Sequence, residues 1–154
     1  MSTVLLTTDG SDLATAAMTQ ALELLGRDHR FTSLAVVPNA FVPGAAVSPM
    51  ETHPTVIDAQ LEMQIEQEER KEGTADLAEL DRVLSITSEH ILEVGEPGPV
   101  ICATAAKVSA DVVVVGSHGH GLFQRMFVGS VSKHVVDHAP CPVLVIRLED
   151  TDKS

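Results

Sequence analysis

Four consecutive valines, Val112 to Val115, constrain the fold of this chain more than any other feature. A β-branched run of this kind favours a strand, and the absence of polar alternation indicates that helices cover both of its faces. Shorter apolar runs predict further strands at residues 4–6, 31–37, 90–94 and 143–146. Helical patterns separate these runs, and such alternation is typical of an α/β fold with a parallel sheet.

The helices are predicted from apolar residues that recur every three or four positions. The first begins after Ser11 or Asp12, either of which can cap it, and ends at Gly26. The others cover residues 56–86, where Gly73 offers a place to bend, 99–108 and 129–138. Their predicted buried faces hold Leu13, Ala17, Ala21, Leu24 and Leu25 in the first helix, and Ile57, Leu61, Ile65, Leu77, Leu80 and Leu84 in the long second one.

Length and charge restrict the class of protein. A chain of 154 residues fits one domain, which we expect over residues 1–148, followed by a polar tail at 149–154. The formal net charge of −12 argues against nucleic acid or anionic lipid as a partner. No apolar run reaches the roughly 20 residues that a membrane helix needs, and the opening residues do not resemble a signal peptide. We therefore expect a cytoplasmic protein whose two cysteines are free and buried.

Glycines after the valine strand carry the main functional signal. Gly116 and Gly119 follow it directly, and glycines there allow positive φ and close approach to a ligand. Gly129 and Ser130 begin the next helix, whose first N–H groups form a ready anion site. Both features flank the carboxyl end of a buried strand, where open α/β sheets bind ligands. A tight turn followed by an ordinary helix cap is the structural alternative.

Two commoner phosphate-binding motifs are absent from the sequence. A P-loop requires Gly-x4-Gly-Lys-Ser/Thr, which does not occur. The Rossmann fingerprint would follow the first strand, where residues 7–11 contain a single glycine.

The spacing Gly116-x2-Gly119-x9-Gly129-Ser130 resembles the ATP-binding signature of the universal stress protein family, G-x2-G-x9-G-[S/T]. The resemblance includes the strand that ends in Thr8-Asp9-Gly10-Ser11 and the closing segment GSVSKHVVDHAPCPVLVIR, and it is weak over residues 38–88. It implies an open five-stranded parallel sheet of order 3-2-1-4-5, Rossmann-like, with helices on both faces. Nucleotide would lie between the first and fourth strands.

The resemblance also implies a set of site residues. Val37 would offer backbone groups to adenine, Val115 and Gly116 would line the ribose side, and residues from Gly119 and from 129–132 would hold phosphates. The predicted nucleotide-binding residues are Thr7, Thr8, Asp9, Val37, Val115, Gly116, Ser117, His118, Gly119, Arg125, Gly129, Ser130, Val131 and Ser132.

A carboxylate beside phosphates requires a cation, so Asp9 is the predicted contact to Mg²⁺ bound with the nucleotide. Asp9 can equally serve the turn after the first strand. His118 and His120 can contact phosphate or lie in solvent, and Arg125 can reach a phosphate or remain a loop charge. His134 and His138 have metal-ligand spacing, but no glutamate lies between them and no third ligand is evident, so we expect no metal there.

The last strand, Val143, Leu144, Val145 and Ile146, would be exposed at a sheet edge. Pairing with the same strand of a second copy would protect it, and the family resemblance implies the same homodimer. The leading hypothesis is a regulatory, non-enzymatic module that binds ATP and signals to a protein partner, with the loop at residues 38–55 ordering on binding. A slow ATPase or phosphate-transferring enzyme and a dimeric scaffold without nucleotide are the alternatives.

Overall fold

The computed structural model describes residues 1–38, 56–117 and 129–148, without the side chains of residues 56–58. Strands and helices alternate along these ranges: β1 (Thr3–Thr8), α1 (Asp12–Leu25), β2 (Arg30–Val37), α2 (Val56–Leu84), β3 (Ser88–Val94), α3 (Pro97–Lys107), β4 (Val112–Gly116), α4 (Ser130–His138) and β5 (Val143–Ile146). All strand pairs are parallel, in the order β3-β2-β1-β4-β5. The predicted α/β fold and its strand order are confirmed.

The valine strand β4 lies inside the sheet, between β1 and β5. Val114 packs into the core beneath α1 and α2, whereas Val113 and Val115 pack into the core on the opposite face, beneath α3 and α4. All three valines are almost fully buried, at 0–2% exposure. A strand without polar alternation is therefore covered on both faces, as its sequence predicts.

Several predicted boundaries are displaced by polar residues. Strand β3 begins at Ser88, not residue 90, because Ser88 and Glu89 already pair with Phe31 and Thr32 of β2. Helix α3 begins at Pro97, since proline is well suited to the first helical position. Helix α2 ends at Leu84, two residues before the predicted end, and Ser85 follows with a positive φ of 52°.

Two predicted core positions of α1 are wrong. Leu13 and Leu24 are 48% and 66% exposed, and Met18 and Leu22 are buried in their place. Spacing alone did not decide between the overlapping stripes of this helix, because both are apolar. Gly26 ends the helix as predicted, with φ 84° and its N–H donating to the Leu22 carbonyl.

The buried face of α2 is confirmed only in its second half. Leu77, Leu80 and Leu84 are at most 2% exposed, whereas Leu61 and Ile65 are 54% and 40% exposed. A helix of 29 residues is about 43 Å long, well beyond the roughly 26 Å of an eight-residue strand such as β2. Its N-terminal half therefore extends past the carboxyl edge of the sheet. The helix runs through Gly73 without interruption.

Strand β5 forms one edge of the sheet and pairs only with β4 among the described residues. Val143, Leu144 and Val145 are half-buried, and Ile146 is buried. Within the same residues, no helix combines the length and the apolar character needed to cross a membrane.

Candidate ligand-binding cleft

A cleft of about 500 Å³ opens at the carboxyl ends of β1, β2 and β4. Its volume falls in the range of small-molecule and cofactor sites. The strand order reverses at β1, because β2 lies on one side of it and β4 on the other, and ligands of open α/β sheets bind at such points. The cleft therefore lies where the topology favours a binding site.

Most of the predicted site residues that the structure describes line this cleft. They are Thr7, Thr8, Asp9, Val37, Val115, Gly116, Gly129, Ser130, Val131 and Ser132. Ser117 is instead buried; its N–H donates to the Ile146 carbonyl at 2.9 Å and its carbonyl accepts from Gly129 N–H at 3.2 Å. His118, Gly119, His120 and Arg125 lie outside the described residues, as do the predicted tail at 149–154 and all of the predicted loop at 38–55 except Pro38.

The N-terminal turn of α4 forms one wall of the cleft. Gly129 occupies the N-cap position, and no side chain of the described residues caps the helix. The buried Ser132 hydroxyl donates to the Gly116 carbonyl at 3.1 Å, which fixes the start of α4 to the end of β4. The first backbone N–H groups of α4 and the positive end of its dipole therefore face the cleft, an arrangement that suits an anion.

The predicted positive φ at the glycines is not found at Gly116. This residue is the last of β4 and pairs with Ile146 of β5, so its backbone is extended. Gly129 has φ −56° and ψ 157°, which other residues also adopt. The absence of a side chain, rather than an unusual backbone, is what these two glycines contribute.

The turn after β1 forms the floor of the cleft and is held by its own hydrogen bonds. The Thr7 hydroxyl donates to the Val114 carbonyl at 2.9 Å, and the Thr8 hydroxyl accepts from Gly10 N–H at 3.1 Å. Asp9 Oδ1 accepts from both the N–H and the hydroxyl of Ser11. The expectation that Asp9 serves this turn is therefore met.

Gly10 brings this turn against α2. It has φ +80°, and a Cβ added there would lie 2.7 Å from the Asp76 carboxyl carbon. Asp9 and Asp76 thus stand on neighbouring parts of the same wall, and both line the cleft. A side chain at position 10 would force them apart.

The end of β2 presents backbone groups to the cleft. The Val37 carbonyl accepts from Gly95 N–H at 2.9 Å, which directs it toward β3. Because successive residues of a strand direct their backbone groups to opposite sides, the Val36 carbonyl is directed toward β1 and the cleft. The pairing of β1 with β2 ends at Thr8 and Ala35, so Val36 lies just past the last β1 partner. Val36 is thus better placed than the predicted Val37 to offer its carbonyl to a ligand.

Sequence reasoning missed a wall of acidic residues on α2. Glu69, Glu72 and Asp76 line the cleft, with Gly73 between them packed against Leu92 and Val37. Other acids of this helix lie on its exposed face, as the ion pair of Glu66 with Arg70 at 3.0 Å shows. The missed signal is the helical spacing of these acids around a buried glycine.

No group of three or more histidine, cysteine or acidic residues in the described part of the chain could hold a metal ion. His134 and His138 instead stack with ring centroids 4.3 Å apart, and His134 packs on Gly98. Asp9 alone does not form a cation site, so Mg²⁺ would require phosphate oxygens as further ligands.

The two cysteines do not line the cleft: Cys102 is part of α3, and Cys141 precedes β5. Both are free and half-buried, and both pack against the core on the α3 and α4 face. Burial raises the pKa of the Cys102 and Cys141 thiols, and the charge of Asp111 adds to the increase at Cys141. These are the features of structural thiols rather than reactive ones.

The sheet and cleft are those of a doubly wound α/β protein with an anion-binding helix terminus. The model of the universal stress protein family matches residues 1–147. The chain therefore belongs to the universal stress protein family.

Curated relatives match over part of their length. The universal stress protein A-like protein of Arabidopsis thaliana is 44% identical over 64 residues, which cover 42% of this chain and 37% of that protein. A putative universal stress protein of Staphylococcus aureus (strain USA300) is 43% identical over 63 residues, covering 40% and 38%. The matched segments thus span well under half of these relatives.

Solved structures match over nearly the whole chain. The universal stress protein UspA of Lactobacillus plantarum is 27% identical with a TM-score of 0.68, covering 95% of this chain and 97% of that one. An Arabidopsis thaliana family protein with AMP bound is 20% identical with a TM-score of 0.65, covering 100% and 96%. A universal stress protein in complex with cAMP is 22% identical with a TM-score of 0.64, covering 94% and 96%. The last two likenesses show the fold alone.

Proposed function

We propose that this protein is a cytoplasmic regulatory module that binds an adenine nucleotide, ATP with Mg²⁺ above all, in the cleft between β1 and β4. The observation that carries the proposal is the uncapped N-terminus of α4 beside Gly116, opposite the open end of β2. The N-terminus of α4 suits a phosphate group, and the open end of β2 suits the edge of a base. Family structures with AMP and with cAMP bound support a nucleotide as the ligand.

Mg²⁺ is part of the proposal because of the charge around the cleft. Asp9, Glu69, Glu72 and Asp76 all line it. A triphosphate would meet these carboxylates as a like charge, and a divalent cation shared between Asp9 and phosphate oxygens would relieve the repulsion. ATP affinity should therefore depend on Mg²⁺ more strongly than AMP affinity does.

A regulatory role is favoured over hydrolysis. A catalytic base must be oriented toward an attacking water, whereas the two hydrogen bonds that Asp9 Oδ1 accepts from Ser11 orient this side chain toward its own turn. We propose that the nucleotide-bound state signals to a protein partner.

Calorimetric titration of the purified protein with ATP, AMP and adenosine, each with and without Mg²⁺, tests the proposal. We expect AMP to bind more tightly than adenosine, because only AMP carries a phosphate for α4. Equal affinity for AMP and adenosine would mean that the site does not bind the phosphate group. No binding of any of the three would leave a scaffold without nucleotide.

We further propose a homodimer through β5. Val113 N–H donates to the Pro142 carbonyl and Ser117 N–H donates to the Ile146 carbonyl, so even-numbered residues of this segment face β4. The backbone groups of Val143 and Val145 are therefore directed to the open edge. Antiparallel pairing with a second copy would satisfy them.

The variant Val145→Pro removes an outward N–H while leaving the bonds to β4 in place. We expect light scattering to give the mass of a dimer for the wild type and of a monomer for the variant. A variant that remains dimeric would exclude this edge, and a monomeric wild type would exclude the dimer. The exposed substitution Val136→Thr on α4 is the matched control, and it should leave the mass unchanged.

A further inference from the structure

One carboxylate oxygen in the cleft has no partner. Glu69 lines the cleft from α2, and its Oε2 is buried and makes no hydrogen bond. A buried acceptor without a donor is costly, and most such atoms in proteins are satisfied by protein, water or a bound group. This oxygen therefore calls for a donor that the described residues do not supply.

Glu69 stands over the carboxyl end of β2. Gly73, one turn along the same face of α2, packs on β3 and β2: an added Cβ would lie 2.6 Å from Leu92 Cδ1 and 3.7 Å from Val37 Cγ2. Glu69 is one turn closer to the N-terminus of α2 than Gly73, and it lines the same cleft as Val36, at the end of β2. Two acceptors, one from a side chain and one from the backbone, thus border the same end of the cleft.

The missing donor has a restricted chemistry. The described residues that line the cleft include no lysine or arginine. They also include no group that could hold a metal ion at this point. Phosphate is excluded as the occupant, because it offers acceptors and negative charge to a wall that already holds Glu69, Glu72 and Asp76. A group that offers N–H donors and carries no negative charge fits.

We infer that Glu69 is a specificity-determining residue that accepts a hydrogen bond from the exocyclic amine of the nucleotide base. The inference rests on the proposed function. The amine has two hydrogens, and Glu69 and the Val36 carbonyl provide one acceptor for each. Phosphates then point to the other wall, at α4. A base with a carbonyl in place of the amine brings an acceptor against an acceptor and loses both bonds.

AMP and IMP form the probe pair, since they differ at the base in this group: IMP carries a 6-oxo group and a proton on N1 where AMP has its 6-amine. We expect calorimetry to show the wild type binding AMP at least about tenfold more tightly than IMP, the scale of one hydrogen bond to a charged group. In Glu69→Gln the ratio should fall close to one, because an amide can donate to the oxo group as well as accept from the amine.

Glu68→Gln is the matched control. It removes the same charge from the adjacent position of α2, where Glu68 is 73% exposed and pairs with Lys71 at 3.9 Å. Glu68→Gln should keep the wild-type ratio of AMP affinity to IMP affinity. A ligand-side measurement needs no variant: AMP with two methyl groups on the amine nitrogen should bind the wild type at least about tenfold more weakly than AMP.

The outcomes separate the inference from the proposed function. Tight binding of AMP and IMP alike by the wild type would overturn the role of Glu69 and leave nucleotide binding intact. An unchanged preference in Glu69→Gln, with circular dichroism showing a folded variant, would overturn it as well. Failure of the wild type to bind either nucleotide would overturn both.

Discussion

Helices α1 and α4 begin at the same edge of the sheet and differ in how their first turns are satisfied. At α1 the Ser11 hydroxyl accepts from Ala14 N–H at 3.1 Å, so the chain caps its own helix. At α4 the N-cap residue is Gly129, which has no side chain to accept from those N–H groups. The first arrangement stabilises the fold, whereas the second leaves donors for an external anion.

Helix α3 gives a third arrangement at the same edge. It has no side-chain cap, yet Pro97 and Pro99 remove two of its first N–H groups. Lack of a cap is therefore insufficient to make an anion site, since the donors must also be present. Among these three helices, α4 alone keeps the backbone N–H donors of its first turn and has an N-cap residue without a side chain to accept from them.

The largest expected effect is on AMP affinity, and it comes from capping the N-terminus of α4. Gly129→Asp introduces a capping carboxylate at a backbone conformation that aspartate can adopt. We expect AMP affinity to fall at least about 100-fold, because the carboxylate occupies the donors and repels phosphate. Unfolding stability should hold or rise by a few tenths of a kcal/mol. Calorimetry and thermal denaturation measure the two quantities.

Gly129→Asn distinguishes two causes of that loss: repulsion of the phosphate by the new charge, and capping of the α4 N–H groups by the new side chain. Asparagine caps as well as aspartate does but carries no charge, so its loss of affinity should be smaller. If Gly129→Asp bound AMP as the wild type does, the contrast between the two helices would have no functional meaning.

The second effect concerns the turn that leads into α1. Gly10→Ala places a Cβ at φ +80° and close to Asp76. Chemical denaturation should show a loss of about 2 kcal/mol or more, from backbone strain and from the crowded carboxylate. Adding Asp76→Ala should recover only the stability that is lost through crowding of the Asp76 carboxylate, and not the part lost through backbone strain. Recovery of the full loss would mean that the backbone is not strained.

The smallest effect is on unfolding stability, and it comes from removing the cap at the N-terminus of α1. Ser11→Ala removes the cap and should lower unfolding stability by about 1 kcal/mol, as seen by urea denaturation. AMP affinity should change far less than in Gly129→Asp, because α1 does not receive the phosphate in the proposed site. A comparable loss of affinity would place the anion at α1 instead.

The sequence predicted the sheet well because its strands are buried on both faces. Val112 to Val115 can form little else than a covered strand, and the glycines at 116 and 129 mark the positions where a ligand can approach. Helix faces were predicted less well. Leu61 and Ile65 continue an apolar pattern past the point where the sheet ends, and periodicity carries no information about that end.

The site was predicted in outline and missed in detail. Val37 lines the cleft as predicted, but sequence reasoning did not select Val36, because the direction of a carbonyl depends on strand register and not on residue type. Glu69 belongs to an acidic run in which neighbours such as Glu66 are largely exposed, so residue type alone does not mark it. Only the packing of Gly73 on β2 reveals which acids face inward.

The position of β1 at the centre of the sheet has a consequence for folding. Thr3 and Asp111 are hydrogen-bonded across 108 residues of chain, and β1 pairs with β4 on that side. At about 5–20 residues per second, a ribosome needs roughly 5 to 20 seconds to supply β4 after β1 has been made. For that time the apolar residues Val4, Leu5 and Leu6 present an open edge, so the nascent chain is most prone to aggregation before its fourth strand emerges.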